Sequence, residues 1–189
     1  PQVRVRGRVI LQGRSDHRGV SIRIGGAPAG VTDTQGYFDL SYRLGSAQAI
    51  SFTVSAHFPG YLWAEHAPLF IGSENSFDLG ETCLLGGDVA GSMPSTVTRP
   101  AYCESTEPME VAGAPDGVID LFDFTLVDTN QGLNNTDVEW GPNACHPEFT
   151  AYRCDINGDG RIDNSDSDIV LRNYGLSGPA NWQPCSPPQ

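Results

Sequence analysis

The chain has 189 residues, 39% of them hydrophobic, and its 11 basic residues (all Arg, no Lys) against 23 acidic ones give a formal net charge of −12. This length allows one large or two small domains with ordinary cores. The absence of any apolar run near 18 residues excludes a membrane-spanning helix, and the acidity argues against nucleic acid as a partner.

The charge is unevenly spread, since residues 1–80 hold seven Arg and six acids while residues 81–189 hold four Arg and seventeen acids. The five cysteines, Cys83, Cys103, Cys145, Cys154 and Cys185, all lie in the second half with no C-x-x-C metal spacing. That usage points to disulfides in an oxidising compartment. A start at Pro1 without a charged-then-apolar leader fits a mature secreted product or a cytosolic protein, and the cysteines favour the extracellular location.

From the N-terminus, Val3, Val5 and Val9 alternate with Arg4, Arg6 and Arg8, the period of a half-buried strand with a basic outer face. Val20–Ile24 repeats the alternation, Val31–Leu40 reads as a hairpin turned at Asp33-Thr34-Gln35-Gly36, and Ile50–Val54 gives a further strand before the Pro59-Gly60 turn. This succession of Gly-Val-Ser-Ile-Arg-Ile, Thr-Asp-Thr-Gln-Gly-Tyr-Phe and Thr-Val-Ser-Ala-His-Phe-Pro-Gly-Tyr-Leu resembles the carboxypeptidase regulatory-like, transthyretin-like β-sandwich family over residues 3 to 80. The resemblance implies a non-catalytic all-β sandwich, with residues 1–82 as its expected span. The seam from Leu79 to Gly87 is short and has no Pro/Thr-rich run.

The second half is legible from its last loop. Asp155, Asn157, Asp159, Asp163 and Asp166 place oxygen side chains at positions 1, 3, 5, 9 and 12 of a twelve-residue stretch, Arg161 offers a backbone carbonyl at position 7, and Gly160 at position 6 permits the sharp turn. A hard cation that takes six to eight oxygens explains that spacing, so these six residues form the expected Ca2+ ligand set. Position 12 is Asp where EF-hands commonly carry Glu, and Cys145–Phe149 before the loop looks like a turn, so the loop opens a helix without closing one. With the following Ser167–Gly175, the stretch resembles the dockerin type I family, whose modules carry two such loop–helix repeats.

An earlier copy runs from Asp116 to Gly132 and matches Asp159 to Gly175 at an offset of 43 residues. The resemblance implies that Gly87–Gly91 opens this first loop and that residues 92–115 are an insertion splitting it. The implied ligands are Asp88, Asp116, the carbonyl of Val118, Asp120 and Asp123, while Ala90 at position 3 departs from the family pattern. The expected fold is therefore two-domain, an all-β sandwich followed by a small, mostly α, calcium-loop-helix dockerin-like domain over residues 83–189. From the pseudo-symmetry of the repeats, Cys83 with Cys185 and Cys145 with Cys154 are the expected bridges, with Cys103 left over.

No H-x-x-H pair, G-x-S-x-G or phosphate loop occurs, and the carboxylates are mostly assigned to calcium, so no enzyme is expected. Tyr61 and Trp63 are candidates for a sugar-binding strip, though core packing is the commoner use of such a pair. Asn134-Asn135-Thr136 is an N-glycosylation sequon. The primary functional expectation is a secreted, calcium-stabilised structural protein that self-assembles into a filament, with Arg4, Arg6 and Arg8 meeting the acidic half of the next copy. The alternatives are a sandwich–dockerin dyad that docks on a cohesin domain, and a carbohydrate-binding accessory module. Dockerins of the family bind through loop positions 10 and 11, which implies Leu121 and Phe122, or Asn164 and Ser165, as contact residues.

Overall fold

The computed structural model describes residues 2–45, 51–72, 75–91, 95–97, 101–104, 109–111, 113–141 and 150–185. In chain order the elements are β1 (Gln2–Leu11), β2 (Ser21–Ile24), β3 (Ala27–Val31), β4 (Tyr37–Arg43), β5 (Ser51–His57), β6 (Gly60–Tyr61), β7 (Ala64–Phe70), β8 (Ser76–Leu84), β9 (Gly86–Asp88), β10 (Ser95–Val97), β11 (Met109–Val111), α1 (Leu121–Thr129), α2 (Asn164–Arg172) and β12 (Ala180–Asn181). They gather into two compact units, one of Pro1–Phe58, Leu62–Leu85 and Gly178–Gln189, the other of Pro59–Tyr61 and Gly86–Ser177.

The first unit is a sandwich of a three-stranded sheet, ordered β4-β1-β8, and a five-stranded sheet, ordered β12-β7-β5-β2-β3. β1 runs antiparallel to β4 and parallel to β8. Its period-2 sequence turns Val3, Val5, Val9 and Leu11 inward, and they are buried together with Ile22, Ile24, Val54 and Ala56 of the facing sheet. Phe52 of β5 and Phe77 of β8 meet edge to face with centroids 5.4 Å apart. Each such aliphatic or aromatic side chain contributes about 1.5–3 kcal/mol by leaving water.

The hairpin expected at Asp33–Gly36 forms for local reasons. The Asp33 carboxylate accepts the N–H groups of Gln35 and Tyr37, each at 2.9 Å, and Gly36 takes φ +86°. Its carbonyl accepts the Val9 N–H at 2.9 Å, and a Cβ on Gly36 would run into the Val9 carbonyl. Glycine is therefore required there both for the left-handed backbone and for the close approach.

The last segment of the chain closes this same unit. β12 pairs in parallel with β7, the Trp182 indole N–H donates to the Leu79 carbonyl at 3.1 Å, and Cys185 is bonded to Cys83 across 102 residues of sequence. The Trp182 ring lies edge-on to Phe38 and His66.

The second unit carries both helices and two short strand pairs, β6 with β9 and β10 with β11. Asp120 and Asp163 cap α1 and α2, each in a reciprocal capping box with the carboxylate three residues on, Asp123 or Asp166. Each helix ends after nine residues. Gly132 and Gly175 follow with φ +92° and +82°, and their N–H groups leave the helix to donate to the carbonyls of Ile162 and Ile119.

The expected fold class is corrected by this. Strand makes up 40% of the chain and helix 14%, with α1 and α2 as its two helices, so the protein is a mostly β, sandwich-based fold and has no distinct, mostly α dockerin domain. The physical reason is that each loop launches only two and a half turns before glycine ends the helix, and the intervening segments pair as short strands and bridges instead.

Candidate metal centre

The two loop–helix repeats match hydrogen bond for hydrogen bond at the 43-residue offset. In the second, Asp166 Oδ1 accepts the N–H groups of Ile156 (2.8 Å) and Asn157 (3.1 Å), and Oδ2 accepts that of Asp163 (3.0 Å). In the first, Asp123 Oδ1 accepts from Val89 (2.7 Å) and Ala90 (2.8 Å), and Oδ2 accepts from Asp120 (2.8 Å). The loops are also tied crosswise to the segment after the opposite helix. The Ile162 N–H donates to Leu133 and the Ile119 N–H to Leu176, at 3.0 and 2.9 Å.

Asp88, before the insertion, is brought to the residues after it: its carboxylate accepts the N–H groups of Asp116 and Gly117 at 3.1–3.3 Å. Gly91 packs so closely on the Ala114 carbonyl that a Cβ would not fit. The two ends of the insertion thus meet where the loop is interrupted. In the second loop the Asp155 carboxylate accepts the Gly160 N–H (3.1 Å), Asn157 accepts that of Asp159 (2.9 Å), Asp159 that of Arg161 (2.9 Å) and Asp163 that of Ser165 (2.7 Å). A concavity of about 590 Å³ opens beside this loop, lined by residues 132–136 and 159–163.

Among the described residues no group of three or more His, Cys, Asp or Glu side chains converges as a metal-holding cluster. The carboxylates are turned onto backbone N–H groups instead. As a donor set the loops nevertheless suit a hard cation, for they supply Asp and Asn oxygens at the spacing such an ion takes and a glycine at φ +85° where the loop turns. Asp88, Asp123, Asp155 and Asp166 are each at most 8% exposed. Burial pushes the Asp88 carboxyl up to about 7, reinforced by Asp123 and Asp116 and opposed by its N–H donors. Burial likewise raises Asp123 to about 6 and raises Asp166, in each case against three backbone N–H donors. No basic side chain is paired with these carboxylates in any ion pair described, so their ionised forms lack a counter-charge.

Several expected site residues take other roles. Arg4, Arg6 and Arg8 do project together, but each is paired within its own sheet, with Asp39 at 2.6 Å, Asp78 at 3.0 Å and Glu81 at 3.0 Å. Arg4 grips both oxygens of Asp39 and holds that carboxyl below its ordinary range. The cationic face on which head-to-tail assembly was reasoned is thus already neutralised by neighbouring strands.

Tyr61 is buried, with its hydroxyl donating to the Ile156 carbonyl at 2.6 Å, and the Trp63 ring is stacked on His57 with Gly178 packed against it. This pair is therefore packing, and the sugar-strip expectation falls. Asn134 is half-buried and spends its amide on Asp137 (2.9 Å). Cys83 is bonded to Cys185, whereas Cys154 is a free, buried thiol pushed up to about 12 by burial, so the expected Cys145–Cys154 bridge is not formed. Cys103, expected to be left over, is disulfide-bonded, and Cys145 lies outside the described residues.

Two residues that position the loops had not been singled out. Asn173 donates to the Gly86 carbonyl at 2.7 Å across 87 residues, and the Asn135 amide fills the space a Cβ on Gly160 would need. Neither carries a local sequence signal, because each acts on a partner remote in sequence. Leu121 and Phe122, at the start of α1, are 62% and 52% exposed.

No family model and no curated protein matches the chain. Among solved structures it is similar to a chain of a type II cohesin–X-dockerin complex from Acetivibrio cellulolyticus carrying a C-terminal interface mutation, with TM-score 0.61 and 21% identity over 93% of this chain and 97% of that one. A second such complex, carrying an N-terminal interface mutation, gives the same values. At this identity the likeness shows the fold, that of a chain found in cohesin–dockerin complexes.

Proposed function

We propose that this protein is a non-catalytic, extracellular recognition module, one half of a cohesin–dockerin-type pair, which docks on a partner protein through its two loop–helix repeats. The observation that carries the reading is the duplication itself: two helices opened by equivalent loops and cross-tied by equivalent backbone bonds, in a chain whose fold is like those of type II cohesin–X-dockerin complexes. Such a frame holds helix surfaces rigidly for a partner.

The second part of the proposal is that the loops hold Ca2+. Asp155, Asn157, Asp159, Asp163 and Asp166 with the Arg161 carbonyl would serve the second site, and Asp88, Asp116, Asp120 and Asp123 with the Val118 carbonyl the first. The ion would supply the positive charge that the buried carboxylates lack and so fix the start of each helix.

Calorimetric titration of the protein with type II cohesins, and separately with type II X-dockerins, tests the docking reading. Micromolar or tighter binding to a cohesin supports it, and binding to an X-dockerin alone assigns the chain to the opposite side of the pair. Failure to bind either class overturns it. Calcium titration of chelator-treated protein tests the ion, and no heat and no gain in thermal midpoint would refute that part.

A further inference from the structure

The two repeats are equivalent in backbone and unlike in surface. Where α1 opens with Leu121 and Phe122, α2 opens with Asn164 and Ser165, and where Val118 forms the bridge of the first loop, Arg161 forms that of the second. Val118 is 39% exposed, so three apolar side chains stand in solvent at one end of this unit while their counterparts at the other end are polar. The core does not account for them. α1 buries Asp123 and Val127 and leaves Leu121 and Phe122 outside, the reverse of an ordinary amphipathic helix, whereas α2 buries Ile169 and Val170 and exposes its polar first turn.

Charge separates the ends as well. Residues 113–132 contain four Asp and no basic residue, while the equivalent residues 156–175 contain four Asp together with Arg161 and Arg172. An exposed apolar group with an acidic, cation-free rim calls for an apolar pocket edged with positive charge.

We propose that docking is one-ended: the Val118, Leu121 and Phe122 end of the first repeat is the docking surface, its partner is a protein with an apolar pocket rimmed by Arg or Lys, and the Arg161, Asn164 and Ser165 end stays outside the interface. This rests on the docking reading above and adds which repeat is used and the chemistry of the surface it meets. Two large apolar side chains entering one pocket would act as the anchors of the interface, with the acidic rim speeding encounter and fixing orientation.

The test transplants the residues of the second repeat into the first, as Leu121→Asn with Phe122→Ser, and pairs this with Asn164→Ala and Ser165→Ala. All four positions are exposed, and circular dichroism checks that each variant is folded. Titration uses the cohesin-type module that the wild type binds. The first variant should bind about 30-fold more weakly or worse, and the second within a few-fold of wild type. Raising salt from about 0.1 to 0.5 M should weaken wild-type binding through the charged rim. Equal binding by the first variant, or an equal loss in the second, overturns the one-ended proposal and leaves the docking reading standing. Failure of the wild type to bind any module of either class overturns both.

Discussion

The bond between Cys83 and Cys185 sets the stability of the chain more than any other single feature described, and its contribution can be worked from the sequence separation. Replacing both cysteines with Ala opens a covalent loop of 102 residues. In the chain-entropy model a loop of that length restrains the unfolded state by roughly 4.7 kcal/mol at 25 °C. Stability of a whole domain is only about 5–15 kcal/mol, so the variant should lose a large share of it. For a chain of this size each kcal/mol is worth about 2–4 °C, and the thermal midpoint should fall by roughly 10–20 °C. The native contacts of the tail persist without the bond, because Trp182 still donates to Leu79, Gln183 still accepts the Cys83 backbone N–H at 2.9 Å, and β12 still pairs with β7. The variant should therefore keep the wild-type circular dichroism below its midpoint. Guanidinium unfolding followed by circular dichroism and by tryptophan fluorescence measures the loss. A decrease below about 1 kcal/mol would refute the loop-entropy reasoning, and a folded-state spectrum that differs at low temperature would show that the bond shapes the native state.

Gly36→Ala places a side chain on a backbone at φ +86° and against the Val9 carbonyl, so it should cost about 3 kcal/mol or more, read as a lower denaturation midpoint, whereas Gly26→Ala has open space around it and should cost only the backbone term of about 1 kcal/mol. His17 is buried with its Nδ1 accepting the Leu11 N–H at 3.1 Å, and burial, followed by Arg8, lowers its pKa below the ordinary 6.5. The unfolded chain therefore takes up the proton first, so this contribution is complete above pH 6.5 and is lost as pH falls below it. His17→Gln should flatten the decline of the thermal midpoint between about pH 7 and 5, and an unchanged slope would contradict the assignment. Asp155→Ala with Asp159→Ala should lower the thermal midpoint in calcium and make it indifferent to chelator, whereas a midpoint that still falls on chelation would place the ion elsewhere.

The sequence by itself determined those features whose causes are local. Val and Arg alternation in β1 placed one face inward because a strand turns successive side chains to opposite sides, and burial follows that period residue by residue. The Asp and Gly spacing of residues 155–166 specified a loop and a helix start, and the repeat at 43 residues located its counterpart although an insertion divides it, since capping and turn chemistry act over three or four positions. The tertiary structure alone decided whatever depends on which distant segment lies alongside. Arg6 and Arg8 meet Asp78 and Glu81 only because β8 returns parallel to β1, some 70 residues later, and that pairing removes the free cationic face the sequence suggested. The helices were legible at their first residue and not in their weight within the fold, because their ends are set by cross-chain bonds to Ile119 and Ile162. Cys154 remained a thiol because it is wholly buried. Spacing along the chain can place a cysteine in a repeat, but a disulfide needs two sulfurs brought within bonding distance, and that distance belongs to the folded chain.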